Sequence, residues 1–301
     1  MSEVRVTEYT DPGSVWAWGS EPKLRLLEWR FGHGLAWRRV LGGMIDDLEA
    51  QSAAEGQPVH PRTDAGRFVE LWRSVHATTG MPFPTELRAA SSTTKLACLA
   101  VKAAERQGSA QADRVLRRLR EWMFLVGEPF DTMVSIVAAV SGVPDLDIDD
   151  FVASLSDPEV LVAYQQDWEE TRRPNAHARQ IQDDHDGHGR VRADGTRFRY
   201  AFPTVVIDGP SGSATVAGWK PIEDYVAAVA QVAPSLADDA KPDPTTDQVI
   251  ARWGTAADVE LATLAGPRSA DPTDVVVYEW GGGAFFLTVA EARARGLRAM
   301  T

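Results

Sequence analysis

The sequence predicts an α/β fold whose central sheet is contributed by two stretches far apart in the chain. Between them it places an all-helical insertion, and after them a small α+β module. Three patterns carry that expectation: a strand–helix–strand opening, a long run of helical periodicity, and a strand–strand–helix pattern that returns only near residue 200.

Val4 to Tyr9 (V-R-V-T-E-Y) reads as the first strand, rich in β-branched residues. A turn at Asp11 to Ala17 leads into a helix carrying Leu24, Leu27 and Phe31 at helical spacing. Gly32 and Gly34 end that helix, and Leu35 to Leu41 reads as a second strand, parallel to the first through a right-handed crossover. From Thr63 to Arg172 the pattern is helical, with Asp113 to Val126 strongly amphipathic in its first half. Asp131, Asp147 and Asp157 are expected N-caps, with Pro158 at a first helical position. Arg173 to Gly195 turns polar, as a loop would. Tyr200 to Gly209 and Ala214 to Trp219 read as a strand pair, and Pro221 to Val232 as the helix that closes it. Beyond an Asp/Pro-rich linker, Asp238 to Pro244, come a helix at Ala256 to Leu264 and a hairpin turning at Gly281-Gly282-Gly283. The expected units are 1–60 and 181–237 for the two halves of the sheet, 61–180 for the helical insertion and 245–301 for the terminal module.

Composition narrows the partners. A net charge of -12 and a pI near 5.0 argue against nucleic acid and against anionic membranes, both of which need a basic face. No apolar run approaches the length of a membrane span. Met1 leads almost at once into the first strand, which leaves no room for a signal peptide. Cys98 is the only cysteine, so no intrachain disulfide can form. The expected location is the cytoplasm.

Tyr9 to Pro22 reads Y-T-D-P-G-S-V-W-A-W-G-S-E-P. The stretch resembles the active-site turn of DsbA-like thioredoxin-fold proteins, particularly the FrnE-like group, in which a Cys-x-x-Cys opens a helix just after an Asp-Pro. Here Ser14 and Ala17 stand at the two cysteine positions. Three further matches keep the family's order: Pro22, where its helix carries a kinking proline; Pro203, where it has a cis-proline; and Gly218-Trp219-Lys220-Pro221, at the turn into its last helix. The resemblance covers roughly residues 3–232 and implies a thioredoxin fold.

Its functional implication turns on the lost sulfurs. Dithiol–disulfide exchange needs a thiolate at the helix N-terminus and a second thiol to resolve the mixed disulfide. Ser14 and Ala17 supply neither. The related kappa-class glutathione transferases and 2-hydroxychromene-2-carboxylate isomerases carry a serine at the first position. By that resemblance, Ser14 would donate a hydrogen bond to the thiolate of bound glutathione or mycothiol. Such a bond is worth about 1.5–3 kcal/mol, enough to bring a thiol pKa from about 8.5 toward neutrality. The implied activity is a thiol-assisted transferase or isomerase acting on a hydrophobic small molecule. Trp16 and Trp18 would form an apolar wall, the Phe202 backbone before Pro203 would hold the thiol's cysteinyl part, and Asp11 and Ala17 would complete the binding surface. Alternatively, Ser14 only caps the helix, the tryptophans are core, and the chain is a redox-inactive binding or accessory protein.

Cys98 lies in an apolar helical stretch and reads as a buried, inert thiol. His177, His185 and His188 with Asp183, Asp184 and Asp186 read as a solvated loop, too flexible to hold a metal. His33 has no neighbours that define a triad. His76 precedes Thr79-Gly80-Met81-Pro82-Phe83, a segment resembling a family turn that faces the cleft, and is the candidate proton carrier. The helix and hairpin at the C-terminus resemble a winged-helix outline, but carboxylates outnumber cations there, so packing or homodimer formation is the expected role.

Overall fold

In the computed structural model, which describes residues 4–182, 187, 189–266, 272–280 and 283–297, β1 (Val4–Thr10) lies at the centre of the main sheet. Only Arg5 of its seven residues is exposed, and the polar Thr7, Glu8 and Thr10 are buried along with the apolar residues. Asp11 to Ser14 turn the chain into a single-turn helix α1 (Val15–Trp18), followed by α2 (Glu21–Phe31) and β2 (Leu35–Leu41). β2 pairs in parallel with β1, Val4 opposite Leu35 and Thr10 opposite Leu41.

The expected kink at Pro22 takes the form of a break. Helical hydrogen bonding gives out at Gly19-Ser20, and Pro22 sits in the first turn of a new helix, where no backbone N–H is needed.

The helical stretch follows as α3 (Leu48–Ala54), α4 (Ala65–Thr79), α5 (Lys95–Glu105), α6 (Ser109–Glu121), α7 (Met133–Val140), α8 (Ile148–Ser154) and α9 (Pro158–Thr171). Helix α6 ends in a π-helical turn, Trp122–Val126, stopped by Gly127 at φ 79°. Asp147 and Asp157 cap α8 and α9 as expected, with Pro158 opening α9. Asp131 does not cap α7. Thr132 does, in a capping box with Ser135, while Asp131 accepts hydrogen bonds from the Ser92 backbone and hydroxyl. Three arginines of α6, Arg117, Arg118 and Arg120, are buried.

Residues 173–182 and 189–195 hold more regular structure than the expected loop. Asn175 caps α10 (Ala176–Gln180), and β3 (Arg192–Asp194) pairs with β4 (Arg197–Arg199) across Gly195, whose φ of 58° suits glycine. Asp183, Asp184, His185, Asp186 and His188 lie outside the described residues. The sheet resumes with β5 (Thr204–Gly209) and β6 (Gly212–Ala217), giving the order β2-β1-β5-β6 with β5 antiparallel to β1 and β6 antiparallel to β5. β5 starts after Pro203, not at Tyr200, because proline has no N–H for the ladder. Likewise β6 stops before Gly218, at φ 77°. Helices α11 (Ile222–Val232) and α12 (Pro234–Asp238) follow. Val6, Leu27, Phe31, Ile207, Tyr225 and Val229 form the core between the sheet and these helices.

The terminal module holds more than the expected helix and hairpin. It contains α13 (Thr246–Trp253), β7 (Thr255–Ala257), α14 (Asp258–Ala265), β8 (Val275–Trp280), β9 (Gly283–Thr288) and α15 (Val289–Ala294). Its sheet has the order β7-β9-β8. Leu26 of α2 packs into its core beside Val249, Ile250, Leu261 and Phe286. The module is therefore docked on the helix that follows the Ser14 turn.

Candidate functional site

Ser14 sits between the end of β1 and the start of α1, with extended φ/ψ of −80° and 110°, as an N-cap requires. Its Oγ accepts the Ala17 backbone N–H at 3.3 Å and donates to the Phe202 carbonyl at 3.1 Å. The residue is 3% exposed. The peptide between Phe202 and Pro203 is cis, and the Pro203 carbonyl accepts from the Gly218 N–H at 2.8 Å. The turn and the proline loop therefore meet, and the serine hydroxyl is what joins them. The Phe202 backbone, expected to hold the cysteinyl part of a thiol ligand, accepts a hydrogen bond from Ser14 through its carbonyl.

Asp11 holds the turn from below. It is fully buried; Oδ1 accepts the Gly13 N–H at 2.8 Å, and Oδ2 accepts the Met44 N–H at 2.7 Å and the Thr94 hydroxyl at 3.1 Å. Burial pushes its carboxyl up, while the three hydrogen bonds pull the other way. These bonds tie the turn to the loop after β2 and to the start of α5, so Asp11 is a brace and does not face a ligand. The Cys98 thiol points at the same Oδ2 from 3.6 Å. Burial, then the neighbouring Asp11 charge, raise that thiol well above its ordinary value, so it stays protonated and unreactive. Cys98 is buried as expected, but beside a carboxylate and not in a wholly apolar setting.

The two tryptophans divide. Trp18 is fully buried, donates Nε1–H to the Pro82 carbonyl at 2.9 Å, and carries the Arg117 guanidinium 4.5 Å above its ring. It is core, and so is Ala17, which has no exposed surface. Trp16 is half-buried, and its ring approaches Gly187 so closely that a Cβ there would lie 2.8 Å from it. The Trp18 ring presents no open wall to a substrate. Phe202 is buried beneath the Arg199 guanidinium, 4.8 Å from the ring, and leaves space only for a glycine at position 42.

His76 lies near the C-terminus of α4. Its Nδ1 is 2.8 Å from the Met81 carbonyl, which only accepts, so Nδ1 carries the proton. That bond ties His76 to the residue 79–83 turn, and none of its described contacts reaches Ser14. Sequence reasoning passed over Lys23, one turn into α2. Its ammonium lies 3.2 Å from the centroid of the Trp219 ring, whose Nε1 donates to the Gly19 carbonyl. Burial lowers its pKa to about 7. The only hint in the sequence was a lysine between Pro22 and Leu24, where the helix buries its face.

Among the described residues no group of three or more His, Cys, Asp or Glu side chains could hold a metal, and no helix is long and apolar enough to cross a membrane. Chemically, the turn offers a hydroxyl whose donor and one acceptor position are used internally.

A family model described as Thioredoxin matches residues 8–177. The ClpXP adapter protein SpxH of Shouchella clausii is 29% identical over 168 residues, covering 56% of this chain and 53% of that protein. The protein of the same name from Bacillus cereus is 29% identical over 163 residues, covering 53% and 52%. The chain thus spans about half the length of the curated relatives it matches. Among solved structures, a putative protein disulfide isomerase from Nitrosomonas europaea superposes with a TM-score of 0.56 at 15% identity, over 79% of this chain and 98% of that one. The cytosolic disulfide reductase DsbM from Pseudomonas aeruginosa gives 0.50 at 14%, over 78% and 95%. At such identities the likeness is one of fold.

Proposed function

The chain belongs to the thioredoxin family, and on that premise we propose that it is a redox-inactive, protein-binding member acting as an adapter that presents another protein to a ClpXP-type protease in the cytoplasm. The observation that carries the reading is the Ser14 hydroxyl, which donates to Phe202 and accepts from Ala17 at a site 3% exposed. A group so engaged holds two segments together and has no proton to offer a bound thiolate. The one cysteine is buried against Asp11, so no sulfur pair exists within these residues to exchange disulfides. The names of the curated relatives point the same way, toward binding a protein and away from turnover of a small molecule.

The competing proposal is the thiol-assisted transferase or isomerase suggested by the serine resemblance. It requires the Ser14 hydroxyl to leave the Phe202 carbonyl and turn toward glutathione or mycothiol. Calorimetry with both thiols separates the two. The adapter reading expects no binding tighter than about 1 mM, and Ser14→Ala should leave acceleration of ClpXP degradation of a captured protein unchanged. Thiol binding below that limit, lost in Ser14→Ala, would replace the adapter by the enzyme.

A further inference from the structure

We propose that the cavity between α6 and the terminal module binds a small zwitterion of the α-amino-acid or short-peptide class. The cavity, of about 640 Å³, is walled by β1, α2 and α6 on one side and by α13, β7 and α15 on the other. That is the size of a small-molecule pocket. Neither Ser14 nor Phe202 is among its lining residues, and the proposal does not depend on the function assigned above.

Its lining carries both signs of charge in near balance. Eight arginines and six carboxylates face it, in a chain whose net charge is -12. The buried Glu260 stands behind the wall and holds Arg25 at 3.1 Å and Arg117 at 2.8 Å. The surroundings of this space therefore favour neither a plain anion nor a plain cation.

The unsatisfied groups are more specific. Both carboxylate oxygens of Glu8, Nη1 of Arg39 and Nε of Arg120 are buried without a hydrogen-bond partner, and all three residues line this cavity. Buried polar atoms in folded proteins almost always have such partners. Glu8 is 1% exposed and Arg120 2%. Glu8 attracts Arg39 Nε at 3.1 Å and Arg120 Nη2 at 3.6 Å, yet neither of its oxygens accepts a hydrogen bond. Two acceptors and two donors thus stand in neighbouring residues that line the same space.

A lone anion would meet the Arg39 and Arg120 donors but be repelled by the Glu8 carboxylate. A lone cation would meet the reverse. A molecule with an ammonium and a carboxylate a few ångströms apart satisfies both, the ammonium on Glu8 and the carboxylate on Arg39 and Arg120. Leu24, Val143 and Trp253, also in the lining, provide apolar surface for its side chain. Such a ligand would touch the main sheet and the terminal module at once, so binding should stabilise the two against each other.

The test is calorimetry on the full chain with the common L-amino acids and the dipeptides Gly-Leu and Ala-Gln. At least one should bind with a Kd below about 1 mM, and its N-acetylated and methyl-ester derivatives should each bind at least about tenfold more weakly. Glu8→Gln should weaken binding by a similar factor. If that variant fails to fold, Arg39→Gln, at a more exposed position, takes its place, and the derivative comparison needs no variant at all. No heat from any probe at about 5 mM would mean that water alone fills the cavity and would overturn the proposal. Acetate or inorganic phosphate binding as tightly as the zwitterions, or an N-acetylated derivative binding undiminished, would overturn it equally.

Discussion

The Ser14 turn and the seam under Glu260 are both buried and polar, yet they are built from opposite materials. The turn is held largely by contacts to uncharged groups: a serine hydroxyl between two backbone groups, and one carboxylate collecting two N–H groups and a threonine hydroxyl. The seam is held by guanidinium–carboxylate pairs from three separate parts of the chain. Glu260 engages Arg117 through both oxygens, at 3.0 and 2.8 Å, and Glu121 engages Arg117 and Arg295. The difference teaches where each region's strength lies. Hydrogen bonds between neutral groups contribute modestly and tolerate loss. A buried ion pair that loses one partner strands the other charge in a medium that cannot solvate it.

Removing one charge at the seam is therefore the strongest way to break the comparison. Glu260→Ala should destabilise the chain by about 3–5 kcal/mol in denaturant unfolding, because Arg25 and Arg117 lose a partner with no exposed surface. A cost no larger than that of a surface substitution would mean the network is not what holds the module.

Acid should act on the same region. Burial by itself would raise Glu21 and Glu121, but the attraction of Arg120, Arg117 and Arg25 for the first, and of Arg295, Arg117 and Arg118 for the second, overrides it and holds both at about 2. Their folded-state values lie below the unfolded ones, so their contribution is complete above about pH 4.5 and is lost as pH falls through about 2. Asp11, Asp113 and Asp167 are pushed up by burial and oppose this by gaining protons in the folded state first. Denaturation midpoints at pH 5, 4 and 3 should fall with pH and fall less in Glu121→Gln. An equal decline in that variant would show that the seam does not carry the acid sensitivity.

At the turn the effects should be smaller. Asp11→Ala leaves the Gly13 and Met44 N–H groups without their acceptor, for about 1–3 kcal/mol by the same unfolding measurement. Ser14→Ala loses an N-cap and one tether to Phe202, for about 1 kcal/mol. A Ser14 effect larger than that of Glu260 would invert the comparison.

Much of this architecture was legible because it rests on local patterns. β1 follows from its β-branched residues, α8 and α9 from their aspartate caps, and the meeting of Ser14 with Phe202 from the family resemblance. Two shorter elements escaped. The Thr245/Gln248 capping box announces α13, but the segment stood next to a Pro/Asp-rich linker and was passed over. The three residues Thr255–Ala257 of β7 are too few to show alternation. Asp11's role as a brace, and the pairing of Arg117 with Glu260, join residues 83 and 143 positions apart. A single sequence carries no signal for such pairs, since any buried carboxylate could be matched with any arginine. The same blindness made Trp18 look available to a substrate.

The central claim is that the position once fit for a thiolate is now a closed structural joint. Ser14→Cys, treated with a thiol reagent under native conditions, tests it most directly. The account predicts that the introduced thiol reacts at least about tenfold more slowly than free cysteine, as a sealed side chain would. Reaction faster than free cysteine would show an open, activated cleft and contradict it.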